Sequence, residues 1–140
     1  MGLRAFLNET PIGEIRWKYA ASPRFRNQEG KPEQWELRCL TGAEDEALRM
    51  ACVRRVPVPG RRGIFMSETD PDLYLGKLAA ACTVYPDLHD RELQDSYRVM
   101  GEDALLKAML TAGEYAAYLE KAQEICGFGL ESQEVDEAKN

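Results

Sequence analysis

The fold turns on residues 101–129, "GEDALLKAMLTAGEYAAYLEKAQEICGFG". At helical spacing Leu105, Leu106, Met109 and Leu110 form one apolar stripe, and Tyr115, Tyr118, Leu119, Ala122 and Ile125 or Cys126 form a second. Between the two stripes Thr111 and Glu114 make a capping box, in which each side chain satisfies the other residue's free backbone N–H. Gly127 and Gly129 supply the stop. Two successive helices, each apolar on one side only, need other elements to cover those sides.

The upstream chain offers such elements. Thr69 or Asp70 caps a helix with Pro71 in its first turn, and its stripe is Leu75, Leu78, Ala79 and Cys82, ended by Pro86. "DRELQDSY" (90–97) predicts a short helix capped by Asp90. "TGAEDEALRMACVRR" (41–55) opens with a second capping box, Thr41 to Glu44, carries Ala47, Leu48, Ala51 and Cys52 at helical spacing, and places Arg54 and Arg55 at the negative end of its dipole. "VPVPGRRG" (56–63) then ends it as a connector, because proline lacks the backbone donor.

Residues 12–40 read differently. "IGEIRWKYA" (12–20) and "WELRCL" (35–40) alternate as strands, the second with Trp35, Leu37 and Cys39 on one face, and "SPRFRNQEGKPEQ" (22–34) holds the residues of a long turn. Residues 130–140 contain four acids, one lysine and few apolar residues, which predicts a disordered acidic tail. The expected fold is therefore α+β, mostly α. A small N-terminal β-hairpin region (12–40) packs on four to five helices (41–129), all within one domain, 1–129. No repeat at a solenoid period and no sustained heptad interrupts that reading.

The 140 residues are 44% hydrophobic and 30% charged, in the range of globular chains. The net charge of −6 argues against a general nucleic-acid binder, since phosphate contacts need Lys and Arg. No apolar run approaches the roughly 18–20 residues of a membrane span, and "MGLRAFLNET" is not a signal peptide, so a cytoplasmic location is expected. Cys39, Cys52, Cys82 and Cys126 are scattered among apolar neighbours with no C-x-x-C pair and a single histidine in the chain. Buried reduced thiols are expected rather than a zinc site.

One stretch looks capable of chemistry: "YPDLHDRELQDSY" (85–97), with Asp87, His89, Asp90, Glu92 and Asp95. Zinc motifs set two ligands one helical turn apart, and calcium loops bend at a glycine and end in a glutamate; neither pattern is present. A helix junction accounts for every acid. Asp87 closes the turn after Pro86, Asp90 caps, Glu92 sits in the first turn, Asp95 faces water, and Leu88, Leu93 and Tyr97 supply the inner side. No nucleophile or oxyanion donor accompanies His89, and no G-x-S-x-G, Walker A or G-x-G-x-x-G motif occurs. The chain therefore reads as a non-enzyme with no cofactor or metal. "RRVPVPGRRG" (54–63) is either a solvated loop or an anionic docking site, for nucleic acid or an acidic partner.

The segment "ACTVYPDLHDRELQDSYRVMGEDALLKAMLTAGEYAAYLEKAQEICGF" (81–128) resembles the XkdN-like tail assembly chaperones of contractile-tailed phages and phage-like elements. The shared features are the Y-P-D-L turn, "ELQDSY", the "LL…ML" helix, "GEY" and the closing "GF". "SPRFRNQEGKPEQWELR" and "ACVRRVPVPGRRG" are similar to that family's basic-aromatic, tryptophan-strand and connector segments. Three positions depart from it. Arg98 stands where glycine often follows "DSY", Ala112 where the helix often begins "TPGEY", and Cys126 where asparagine is common. Arginine resists the positive φ that glycine permits, which puts the 98 turn in question.

The resemblance implies a protein that binds the tape measure protein, and the tail tube protein as a further partner, during tail assembly and that is absent from the finished particle. The alternative is a structural adaptor built into the tail or baseplate. The expected contact residues are Tyr85, Leu88, Leu93 and Tyr97 at the helix junction, with Arg61 and Arg62 in the connector.

Overall fold

A computed structural model describes residues 2–129; the expected acidic tail, 130–140, lies outside them. Among the described residues five α-helices and two small antiparallel sheets make up an α+β, mostly helical fold. The helices are α1 (Gly42–Ala51), α2 (Pro71–Cys82), α3 (Arg91–Ser96), α4 (Glu102–Met109) and α5 (Ala112–Ile125). Their starts are set locally. Both capping boxes form, Thr41 with Glu44 and Thr111 with Glu114, while Asp70 and Asp90 accept from the N–H groups of Leu73 and Leu93. Each such cap is worth about 1 kcal/mol.

One sheet runs β1 (Trp17–Tyr19), β2 (Trp35–Leu37), β5 (Thr83–Tyr85), antiparallel throughout, with Trp17 opposite Leu37 and Tyr19 opposite Trp35. β5 departs from the sequence expectation. Helix α2 stops at Cys82, ahead of Pro86, because the chain turns extended at Thr83, whose hydroxyl donates to the Ala79 carbonyl at 2.8 Å. β1 is also shorter than expected, since Ile12–Glu14 form a single 3₁₀ turn after Pro11.

The connector departs further. Val53–Pro57 (β3) and Phe65–Thr69 (β4) pair as a second sheet, with Val53 opposite Thr69 and Pro57 opposite Phe65. Gly60 and Gly63 take positive φ values (75° and 77°) in the turn between them. Arg54 and Arg55 thus lie on a strand and not in the last turn of α1. α1 faces inward through half of its expected stripe: Leu48 packs on the core and Cys52 is buried, but Ala47 and Ala51 are exposed and the buried Asp45 takes their place. Asp45 is satisfied at its carboxylate by the Tyr74 hydroxyl (2.5 Å) and Arg49 (3.1 Å).

The core joins β2 to α2, α4 and α5 through Trp35, Leu37, Leu78, Leu105, Leu106 and Tyr118, all at most 1% exposed. Trp35 meets Tyr118 edge-on at 5.3 Å between ring centres. With its own proton on Ala79, Thr83 accepts from the Tyr118 hydroxyl at 2.6 Å. α2 approaches α5 so closely that a Cβ on Gly76 would lie 2.9 Å from the Tyr115 hydroxyl oxygen. No helix among the described residues is long and apolar enough to cross a membrane.

Candidate functional site

The junction 85–97 is built by three local devices. The Asp87 carboxylate accepts from the His89 N–H at 3.0 Å, Asp90 caps α3, and the Gln94 amide ties the segment to its surroundings. Its Nε2 donates to the Leu88 carbonyl (2.8 Å) and its Oε1 accepts from the Gly101 N–H (3.1 Å). His89 projects into water with its side chain 76% exposed, near Asp87 (3.6 Å) and Glu102 (3.9 Å). Among the described residues no group of three or more His, Cys, Asp or Glu side chains is arranged to hold a metal.

What the junction does create is a cleft. Tyr85, Pro86, Leu93 and Tyr97 line it from the junction, and Phe25, Glu33, Trp35 and Met109 line it from elsewhere in the fold. Its volume is about 190 Å³. That is below the roughly 300–1,000 Å³ of a small-molecule or cofactor site. It is large enough for one or two amino-acid side chains. Around it Phe25 tilts against Trp35 at 6.1 Å, and Arg24 lies over the Phe25 ring at 4.9 Å while donating to the Met109 carbonyl. Tyr85 is 45% exposed, so the rim presents an aromatic ring to solvent.

The six residues singled out from sequence therefore fall in three places. Tyr85, Leu93 and Tyr97 come together in the cleft wall. Leu88, next to them in sequence, is 1% exposed and belongs to the core beneath. Arg61 and Arg62 lie in the β3–β4 turn and do not line the cleft. Phe25, Trp35 and Met109 come from distant parts of the chain, and only the tertiary fold adds them.

A second convergence was hidden by sequence distance. Cys39, Cys82 and Cys126 meet where β2, α2 and α5 end, with Cys82 Sγ 3.5 Å from Cys126 Sγ. The hydrogen bond with Cys82, helped by a Leu40 backbone N–H, holds Cys126 below the ordinary thiol range against the opposing effect of burial, while the Cys39 thiol donates to the Leu40 carbonyl at 3.2 Å. The same hydrogen bond and burial push Cys82 up. Cys126 also lines a recess of about 210 Å³ with Leu40, Asp45, Leu78 and Phe128.

Known proteins share both the sequence and the architecture. The chain is 30% identical over 118 residues to uncharacterized protein YqbN of Bacillus subtilis (strain 168), covering 84% of this chain and 78% of that one. It is 29% identical over 125 residues to the phage-like element PBSX protein XkdN of the same organism, covering 88% and 83%. The crystal structure of YqbN superposes with a TM-score of 0.73 at 25% identity, covering 91% of this chain and 98% of that one. The sequence profile of the phage XkdN-like tail assembly chaperone proteins matches residues 3–139. With nearly its whole length matched, the chain belongs to the phage XkdN-like tail assembly chaperone family.

Proposed function

We propose that this protein acts in the host cytoplasm as a non-enzymatic tail assembly chaperone, binding the tape measure protein, and the tail tube protein as a further partner, and leaving before the particle is complete. The observation that carries this reading is the family match over residues 3–139. The cleft supports it. An unassembled tape measure exposes long apolar helical stripes, and a helix can seat one large apolar side chain in a groove of this size while its neighbours rest on the aromatic rim. A shallow one-anchor contact is also readily reversible, as an assembly factor requires. The net charge of −6 keeps such a complex soluble.

Co-expression with the tape measure protein of the same element, followed by affinity purification and size exclusion, tests the reading. The expected result is a soluble tape measure that co-elutes with this protein, together with purified tails that lack it. A tape measure that stays insoluble while this protein elutes alone would overturn the assignment of that partner. Stoichiometric incorporation into purified tails would point to the structural adaptor.

A further inference from the structure

The β3–β4 hairpin takes no part in the cleft. Its strands pair with each other over five positions, and among the described residues no other element packs broadly on either. Only Val56 and Glu68 are even partly buried. A two-stranded ribbon is marginal by itself in water. This one also leaves Val53, Phe65 and Met66 each 50% exposed, and both of its outer edges are unpaired among the described residues. Edges of that kind are templates for a further strand.

The charge of the arm is opposite to that of the chain. Residues 53–69 hold four arginines and one glutamate, in a chain of net charge −6. Glu68 is committed to Arg54, with Oε1 2.8 Å from Nη2. The Arg55 guanidinium lies over the Phe65 ring at 4.9 Å and has no carboxylate within salt-bridge distance among the described residues. Arg61 and Arg62, in the turn, have no carboxylate within salt-bridge distance among the described residues.

We infer that this arm is a docking edge for an extended acidic segment of a partner protein. The segment adds along β3 as a third strand. Its carboxylates lie on the face of Arg55 and reach Arg61 and Arg62 in the turn, and its apolar side chains, alternating with them, lie on the opposite face beside Val56. Strand addition supplies backbone hydrogen bonds, and the arginines select acidic partners. Two arms pairing edge to edge would set arginine against arginine, which disfavours a second copy. Nucleic acid fits less well, because the arginines are interleaved with half-exposed apolar side chains on an acidic body. The inference rests on the reading that this protein works by binding other proteins, and it adds a second surface with its own partner chemistry.

The test is an amide-resolved NMR titration of the full chain with a synthetic nine-residue peptide alternating valine with aspartate or glutamate. Controls are the same peptide with lysine in place of the acids, and a short DNA duplex. The expected result is perturbation centred on residues 53–69 by the acidic peptide alone. Binding should weaken about tenfold in the double variant Arg61→Glu, Arg62→Glu, whose circular dichroism is unchanged because both residues are exposed in the turn. Equal binding of the lysine peptide, DNA binding at the arm, or arm shifts that grow with protein concentration alone would each overturn it. The tape measure co-elution experiment is separate. Co-elution without any arm response sinks the arm and leaves the chaperone reading, and arm binding without co-elution does the reverse.

Discussion

The backbone N–H of Val99 donates to the carbonyl of Gln94 at 3.2 Å, and between them Arg98 adopts φ +56° with its own N–H on Asp95 at 3.0 Å. This is a complete Schellman stop for α3 with arginine at the left-handed position. α5 ends with the same two bonds, Phe128 to Gln123 (2.9 Å) and Gly127 to Glu124 (3.0 Å), but there glycine takes the left-handed residue at φ +88°. The turn is thus kept, not rebuilt, and Arg98 is the one non-glycine with positive φ among the described residues. An L-residue in that conformation costs roughly 1–2 kcal/mol, partly offset by the greater unfolded-state entropy of glycine. Arg98→Gly should therefore stabilise the protein by about 0.5–1 kcal/mol, seen as a higher urea midpoint at unchanged slope. A lower midpoint would mean that the arginine side chain contributes more than its backbone strain.

Neighbours in the junction should behave oppositely. Leu88→Ala removes a side chain that is 1% exposed and should cost about 2–5 kcal/mol, with binding unchanged in whatever fraction stays folded. Leu93 and Tyr97 are only partly buried where they pack on the core, and both line the cleft, so Tyr97→Ala and Leu93→Ala enlarge it. They should weaken tape measure co-elution while lowering stability much less than Leu88→Ala does. Thermal melts beside the co-elution assay separate the two classes. If Leu93→Ala and Tyr97→Ala leave co-elution intact, the cleft is not the contact.

How far the sequence could be read depended on whether the signal was local. Capping boxes, the Asp70–Pro71 start and the Gly127 stop are decided within five residues, and all appear where the sequence puts them. The β3–β4 hairpin left no such trace. "VRRVP" and "FMSET" are exposed on both faces, so neither carries the alternation that burial imprints on a strand. Strand β5 is three residues long and borrows its definition from β2. Leu88 and Leu93 look alike in sequence, and only packing makes one core and the other cleft. Cys39, Cys82 and Cys126 have no spacing that announces their meeting, because three separate elements bring them together.

Two titrations bound the stability range. Hydrogen bonding from Arg38 and then from the Thr41 backbone lowers the Glu44 carboxyl from 4.5 to about 2 in the folded protein. The folded value is depressed, so its contribution is present above about pH 4.5 and is lost as pH falls toward 2. Glu44→Gln keeps the capping geometry but should flatten that acid limb. At the other end, burial raises Tyr118 above its ordinary value of 10.0, and burial with the Asp45 hydrogen bond raises Tyr74. These folded values are raised, so stability is fully present below pH 10 and falls as pH climbs beyond it. Urea midpoints measured across pH 2–5 and 9–12 check both limbs. Tyr118→Phe should reduce the alkaline slope, and an unchanged slope would remove Tyr118 as its source.

The thiols should differ sharply in reactivity, because the thiolate is the nucleophile and only one cysteine combines access with a stabilised anion. Cys126 is part-exposed beside its recess, and its hydrogen bonds with Cys82 and the Leu40 backbone N–H favour its anion. Cys82 and Cys52 are at most 1% exposed, and both are raised, Cys82 by its bond to Cys126 and by burial, Cys52 by burial. Cys39 is part-exposed but also raised by burial. Iodoacetamide at pH 7 should therefore label Cys126 first and Cys39 more slowly, with Cys52 and Cys82 modified only after urea is added. Peptide mass mapping over a time course reads the order directly. Cys126→Ser should abolish the fast phase and slow no other site. Four cysteines reacting at one rate, or Cys39 leading, would mean that the Cys82–Cys126 hydrogen bond does not organise this cluster in solution.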